Sequence, residues 1–400
     1  MRIGLVTPAW PGGSHANGIT TSVFYLSQGL QAQGHEVTII SLNDEGLKND
    51  RDRSVFILPK ARKMTVLERA KKHLNLDEPF HEIIGEQIAA AVSEAARSKS
   101  IDVLIMEETH GWAKTVQELL PIPVIVVLHG PWFIQSGLQR EKTSIDDRRR
   151  EHRESLAIKG CAGVVGPSRS VLEMTLSEVP GINSEQAVIH NPILQKLPVC
   201  YDKLDEKQRK SILFVGRHDH RKGADTLFSG FARLVEQGAD VFLTFIGPDP
   251  GLKQADGSIV FIPEALAALG HEVSSRITYL GACSGQEIDL HRQKHLLTVV
   301  TSRYETFGYT VLEALAAGSA TISTAAGGPE EIIRDGETGL LIPPDDPAEL
   351  ANACMKLLNN PDLAASLGKA ARVDVSKRFN PDVVAAALVD FSKKVVAGST

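Results

Sequence analysis

Glu305 and Glu313, eight residues apart, and Arg217 and Lys222, almost ninety residues earlier, are the side chains whose types and spacing can do chemistry together. Glu313 falls in a run of Val, Leu and Ala from Tyr309 to Ala317 that Gly318 ends, which predicts a helix apolar nearly all round. Such a helix is buried, and an unpaired charge in it costs several kcal/mol, so Glu313 requires a partner. Helical side chains lean towards the N-terminus. Glu313 is therefore directed at the helix end where Glu305 and the amides of Phe307, Gly308 and Tyr309 converge. Amides at a helix start hold phosphate, and each carboxylate can accept two hydroxyl hydrogen bonds, so the set suits a ligand with both phosphate and vicinal hydroxyls, such as a nucleoside diphosphate sugar. Taken singly, each acid has a plainer reading: Glu305 as a solvated loop residue and Glu313 as an exposed helix position.

The segment Gly216 to Gly223 carries Arg217, His218, Asp219, His220, Arg221 and Lys222 ahead of a helix running to about Val235. Cations at a helix N-terminus oppose its dipole unless an anion fills the space. Arg217 can grip a diphosphate in two places, with Lys222 as a point charge beside it. His218, Asp219 and His220 are metal ligands by type, but three near-adjacent residues on a short turn cannot all face one ion, so no metal is expected. His129 ends the strand Val124 to Leu128, at the edge where open α/β sheets hold their ligands; a histidine bonded to its own loop is the alternative there. Ser168 reads as a plain helix cap.

The elements around these residues alternate. Arg2 to Thr7 reads as a strand, a loop containing Pro11, Gly12 and Gly13 follows, Gly18 opens a helix to about Gln33, and Glu36 to Ile40 is the next strand. The glycines do not have dinucleotide spacing and no acid ends the second strand, which argues against a dehydrogenase. Further strands are predicted at 55–58, 102–106, 163–165 and 187–189, and, after a charged linker, at 212–216, 241–246, 277–280, 297–301, 320–323 and 340–342. Strands alternating with helical patterns mean parallel sheets covered on both faces. Two doubly wound domains result: 1–195, a linker at 196–210, and 211–380. Pro381 breaks the chain before a final helix.

At 400 residues, 42% hydrophobic and 23% charged, the chain is long enough for two cores. A net charge of −6 without a basic half excludes a nucleic-acid partner, and phosphate must be held locally. The four cysteines, Cys161, Cys200, Cys283 and Cys354, form no close pair, which fits a reducing cytoplasm. No signal peptide or membrane-spanning run is read. The basic segment from Lys60 to Leu74 reads as a helix with a solvated face, or as a weak peripheral contact with the inner face of a membrane or with a lipid-linked acceptor; a small molecule or a glycan is the other acceptor class. The stretch Asp146 to Glu154 reads as an exposed helix.

With these pieces together the chain resembles the retaining glycosyltransferases of family 4, which have the GT-B fold. The resemblance runs over the whole length and is carried by Gly12, Gly13 and Gly18, by Gly216-Arg217 to Lys222-Gly223, by Glu305 and Glu313, and by Gly327-Gly328-Pro329-Glu330. It implies two Rossmann-like domains facing a central cleft, with the helix 381–400 crossing back to the first. It implies that Arg217 and Lys222 bind the diphosphate, Glu313 the ribose and Glu305 the donor sugar, assisted by the amides of Phe307, Gly308 and Tyr309. Gly13 would admit the diphosphate or acceptor to the backbone, and His129 would lie near the transferred sugar. The implied reaction is metal-independent, cofactor-free transfer from a UDP- or GDP-sugar to a hydroxyl acceptor, with retention by front-face attack. A sugar-nucleotide epimerase, a phosphorylase and a non-catalytic binding subunit share the architecture and are the alternatives.

Overall fold

The computed structural model describes residues 1–10, 18–43, 55–73, 79–138, 144–254 and 256–398. The chain divides into two compact units, Met1–Pro192 with Pro381–Thr400, and Ile193–Asn380.

The first unit is built on seven parallel strands: β1 (Arg2–Thr7), β2 (Glu36–Ser41), β3 (Val55–Ile57), β4 (Val103–Glu107), β5 (Val124–Val127), β6 (Gly163–Gly166) and β7 (Glu185–Val188). Their order is β3-β2-β1-β4-β5-β6-β7. Buried runs such as Ile3, Leu5 and Val6, and Val103 to Met106, need cover on both faces, which is why these strands read as continuous apolar stretches. Part of that cover comes from the last helix, Pro381–Gly398, whose Val384, Ala385, Leu388 and Val389 join Val23, Leu26 and Leu30 of the helix Gly18–Ala32 in one core.

The second unit is a six-stranded parallel sheet. It contains β8 (Ser211–Val215), β9 (Phe242–Ile246), β12 (Ile277–Tyr279), β13 (Leu297–Val300), β14 (Ala320–Thr324) and β15 (Leu340–Ile342) in the order β12-β9-β8-β13-β14-β15. A small antiparallel hairpin, β10 (Leu252–Lys253) with β11 (Ile259–Val260), stands apart; strands of two residues give no readable alternation. Phe214, Leu227, Phe231 and Phe245 lie in the core of the second unit. In both sheets the strand order reverses once, between β1 and β4 and between β8 and β13. The crevice at such a reversal, outside the carboxyl ends of the strands, is where open α/β sheets bind ligands.

Two expectations are corrected. The segment 146–154 lies in the helix Ile145–Gly160, but this helix is not wholly exposed: Glu154 is fully buried, where it accepts hydrogen bonds from His110 N at 3.0 Å, Trp132 N at 2.6 Å and Arg150 Nε at 2.8 Å. Three donors replace the water a buried carboxylate loses. The basic segment forms a helix only over Val66–His73, because Thr65 and Glu68 make a reciprocal cap, Thr65 N to Glu68 Oε2 at 2.6 Å and Glu68 N to Thr65 Oγ1 at 3.2 Å. Arg62, ahead of it, is held by Glu68 at 2.7 Å and Glu86 at 2.6 Å, while Val66 and Leu67 are exposed; Leu74 lies outside the described residues. Among the described residues no helix is long and apolar enough to cross a membrane.

Candidate active site

The site in the second unit follows from β8 and β13 being neighbours, paired in parallel with Ile212 opposite Leu297 and Phe214 opposite Val299. Their loops leave the same edge of the sheet. Gly223, at φ 64°, takes the chain from the first loop into the helix Ala224–Glu236, and a Cβ there would stand 1.9 Å from Thr301 O. Only glycine allows that approach. The loops are stitched together: Thr301 Oγ1 lies 3.0 Å from Lys222 O and 2.9 Å from Gly223 O, and Arg303 N donates to Arg221 O at 2.9 Å.

This stitching brings Lys222 and Glu305 into direct contact, Lys222 Nζ against Glu305 Oε1. The same oxygen accepts from Ser302 Oγ at 2.6 Å, and Arg221 Nη1 stands 3.8 Å from Oε2. Burial by itself would raise the pKa of Glu305, but the charges of Lys222 and Arg221 outweigh it and hold the carboxyl below its usual range. Lys222 N also donates to Asp219 Oδ1 at 2.8 Å, and Asp219 Oδ2 lies 3.0 Å from Arg217 Nε. Arg217 is the most exposed of the three cations, with 55% of its side chain accessible. His218 faces away from them. Fully buried, its Nδ1 lies 2.7 Å from Asp249 Oδ1 and its amide donates to Pro248 O at 3.0 Å, which pins the β8 loop to the β9 loop.

The backbone of Glu305 is fixed from the other side by the loop after β14. Glu305 N donates to Ala326 O at 3.0 Å and Gly328 N to Glu305 O at 2.9 Å. Side chains would not fit here: a Cβ on Gly327 would fall 2.5 Å from Glu305 O, and one on Gly328 would fall 2.2 Å from Phe307 O. The helix Tyr309–Ala316 then opens at Gly308, φ 100°, a residue with no side chain to cap it, and Phe307 is buried beside it.

Glu313 differs from the sequence expectation in one respect. Its side chain is 28% exposed, and it has a protein partner, Arg292 Nη2 at 2.7 Å from Oε2. Arg292 ends the helix Gly285–Arg292, and nothing in its sequence setting marked it as buried.

In the first unit, His129 follows β5 and its amide donates to Glu108 Oε2 at 2.8 Å. Packing lowers its pKa to about 4, so the ring is neutral at physiological pH. It lines a cavity of about 40 Å³ together with Glu107 and Asn191. Glu107 ends β4 and Glu108 follows it, at this sheet's order reversal. Burial, then the charge of Glu154, pushes Glu107 up to about 7 and Glu108 up to about 8. Sequence reasoning passed over Glu107 and Glu108 and read Glu154 as part of an exposed helix. Gly18 is the exposed first residue of its helix, and Gly13 lies outside the described residues.

Residues 202–374 match the family described as Glycosyl transferases group 1, and residues 16–193 match Glycosyltransferase Family 4. Over 209 residues the chain is 30% identical to the 2-deoxystreptamine N-acetyl-D-glucosaminyltransferase of Niallia circulans, covering 52% of this chain and 50% of that protein. The match spans about half or less of the length of that relative and of two D-inositol 3-phosphate glycosyltransferases, whereas the glycogen synthase of Mycobacterium tuberculosis, at 24% identity, is matched over 93% of its length. Among solved structures, the sucrose-phosphate synthase from Thermosynechococcus elongatus superimposes with a TM-score of 0.74 at 23% identity, covering 99% of each chain. Anabaena HepE, in complex with UDP and glucose, gives 0.66 at 16% identity, covering 98% of this chain and 100% of that one. The two family matches together take in most of the chain, and the chain belongs to the group 1 and family 4 glycosyltransferases, with the GT-B fold.

Proposed function

We propose that the protein transfers a sugar from a nucleoside diphosphate sugar, UDP- or GDP-linked, to a hydroxyl acceptor, with retention at the anomeric carbon. The observation that carries this reading is the contact of Lys222 with Glu305 at the β8/β13 reversal, with Arg221 and Arg217 beside it. It supports a division of labour. Arg217, Lys222 and the helix start at Gly308 to Tyr309 take the diphosphate; Glu305 accepts from hydroxyls of the transferred sugar; Glu313 accepts from the ribose. The solved relative holding UDP and glucose has this fold, which agrees with such a donor.

The chemistry follows from charge. Breaking the anomeric bond leaves negative charge on the departing phosphate oxygen, and fixed cations at that place stabilise it more than they stabilise the intact donor. In the free protein Lys222 is neutralised by Glu305. A donor diphosphate gives the lysine a second anion, and Glu305, kept ionised by Arg221, remains an acceptor for sugar hydroxyls. The acceptor hydroxyl attacks from the face the diphosphate leaves, and the leaving oxygen takes its proton. In this reading His129, neutral, hydrogen-bonds the transferred sugar, and Gly13 and Gly18 admit the diphosphate or acceptor to the backbone.

A thermal-shift panel of UDP-, GDP- and ADP-sugars tests the donor class. A donor at 100 times its Kd raises stability by about 2.7 kcal/mol. Product analysis with and without acceptor then separates transfer from epimerisation or phosphorolysis. No shift with any nucleotide sugar would overturn the reading.

A further inference from the structure

We propose that Arg292 is a positioning residue for nucleotide recognition: it fixes one oxygen of Glu313 so that the other is presented to the ribose hydroxyls. The inference rests on the reading of Glu313 as the ribose contact, and it adds a residue to which neither the sequence motifs nor the family likeness assigns a role.

Arg292 is 1% exposed, the largest fully buried side chain among the described residues. A guanidinium that has lost its water must spend its donors on protein acceptors. Nη1 donates to Asp289 Oδ1 at 2.9 Å and Nη2 to Glu313 Oε2 at 2.7 Å, while Nε has no acceptor among the described residues. Asp289 is held in turn by Lys196 Nζ at 3.1 Å from its other oxygen. A chain of alternating charges therefore runs from Lys196 through Asp289 and Arg292 to Glu313.

Stability alone gives no reason for this arrangement, since a buried ion pair is often replaced by apolar side chains at little or no loss. The geometry supplies another reason. Glu313 stands on a helix whose Val311, Leu312, Ala314, Leu315 and Ala316 are buried, and its carboxylate is the charged group on it. Among the described residues its Oε1 has no donor, and the side chain is partly open. Without Arg292 the carboxylate would rotate freely about its terminal torsion, a broad one for glutamate. With Oε2 fixed, Oε1 keeps one direction, and a pair of vicinal hydroxyls meets an acceptor already in place, which removes an ordering cost from binding. Because the ribose is remote from the bond that breaks, the contact acts equally on bound donor and transition state, and its loss shows in KM rather than kcat.

The experiment measures binding of UDP and GDP, and of their 2′,3′-dideoxy analogues, to the full chain carrying Arg292→Met, Arg292→Lys, Glu313→Gln, or Arg292→Met with Glu313→Gln. A lost hydrogen bond to a charged group predicts that Arg292→Met weakens the ribonucleotide by roughly tenfold to a hundredfold. The dideoxy analogue should change by less than about twofold, the double variant should be no weaker than Glu313→Gln, and donor KM should rise while kcat holds. Arg292→Lys, which keeps the charge and loses the fork, should fall between, and it carries the test if the methionine variant does not fold. Equal weakening of ribo- and dideoxynucleotide by Arg292→Met or Arg292→Lys would make Arg292 merely structural and overturn the proposal. So would Glu313→Gln discriminating the ribose while both Arg292 variants do not, which leaves the ribose reading of Glu313 standing. If Glu313→Gln itself fails to discriminate, the underlying ribose assignment falls, and the proposal with it.

Discussion

Replacing Lys222 with methionine separates two effects that its contact with Glu305 combines. In the free protein the change leaves Glu305, 7% exposed, with Ser302 Oγ at 2.6 Å and Arg221 at 3.8 Å as its side-chain partners. Stranding one member of a buried pair costs ~3–5 kcal/mol when nothing compensates. Here two things do. Arg221 at its present distance attracts the carboxylate by about 4 kcal/mol at an effective dielectric constant of roughly 20, before any cost of ordering. Burial, no longer opposed by the lysine, also lifts the Glu305 pKa, so the group can take up a proton at about 1.4 kcal/mol for each unit of separation from the working pH. The expected loss of stability is therefore about 1–2 kcal/mol. Turnover should fall much further, by about 10²–10³, the usual effect of removing one preorganised donor from a developing oxyanion.

The double change Lys222→Met with Glu305→Gln makes the distinction sharp. It removes both charges and leaves no buried ion, so stability should return to within about 1 kcal/mol of the parent, while turnover stays at or below that of the single variant. All three tryptophans, Trp10, Trp112 and Trp132, belong to the first unit, so their fluorescence does not follow this part of the chain. Hydrogen exchange at β8 and β13 during urea unfolding does, and release of nucleoside diphosphate at saturating donor gives kcat. If the double variant regains turnover together with stability, or if Lys222→Met alone stays within about fivefold of the parent, the pair is structural and the cations do not serve the leaving group.

Gly223→Ala places a Cβ 1.9 Å from Thr301 O at φ 64°, so the stitch between the two loops must open. Loss of donor binding and a stability cost above about 1 kcal/mol are expected, measured by calorimetry and hydrogen exchange. Glu154→Ala abandons the amides of His110 and Trp132 and the Arg150 guanidinium in the first unit; a loss of about 3–5 kcal/mol, read by tryptophan fluorescence in urea, should follow, and a loss under 1 kcal/mol would mean that water takes over all three donors. Glu107 and Glu108 have pKa values raised to about 7 and about 8 against 4.5, so the folded first unit binds more protons than the unfolded chain between these limits. Their stabilising contribution is complete below pH 4.5 and is lost as pH rises towards 8, so the urea midpoint should fall over this range and Glu108→Gln should flatten the fall; a midpoint independent of pH would refute the shifts.

The parallel sheets were legible because their strands are buried on both faces and leave apolar runs such as Ile212 to Val215 and Leu296 to Val300, the latter interrupted by Thr298 alone. Lys222 and Glu305 were legible by type, as cations at a helix start that need an anion and an acid ahead of a helix. Arg292 was not. It closes the helix GQEIDLHR, where an arginine reads as a solvated partner for the helix dipole, and its burial is set by how that helix meets Tyr309–Ala316, which no local pattern contains. Glu154 was missed for the same reason, since the segment DDRRREHRE has no apolar face to show which side is inside. The cap at Thr65 and Glu68 was a readable signal passed over.

What turns a separation of 83 residues between Lys222 and Glu305 into contact is the sheet reversal. After β8 the chain adds β9 and β12 on one side, then returns to lay β13 on the other, so the loops after the first and fourth strands of this sheet leave side by side. A sequence with the same motifs but a monotonic strand order would hold the same residues apart. Cations before one helix and an acid before another are thus complementary only in this topology, and the acid inside the second helix needs one thing more. A carboxylate with no partner would be protonated or turned outward, and one with every lone pair taken would have nothing to offer a ligand. Arg292 takes one oxygen of Glu313 and leaves the other, which is the condition a binding carboxylate in an apolar helix has to meet.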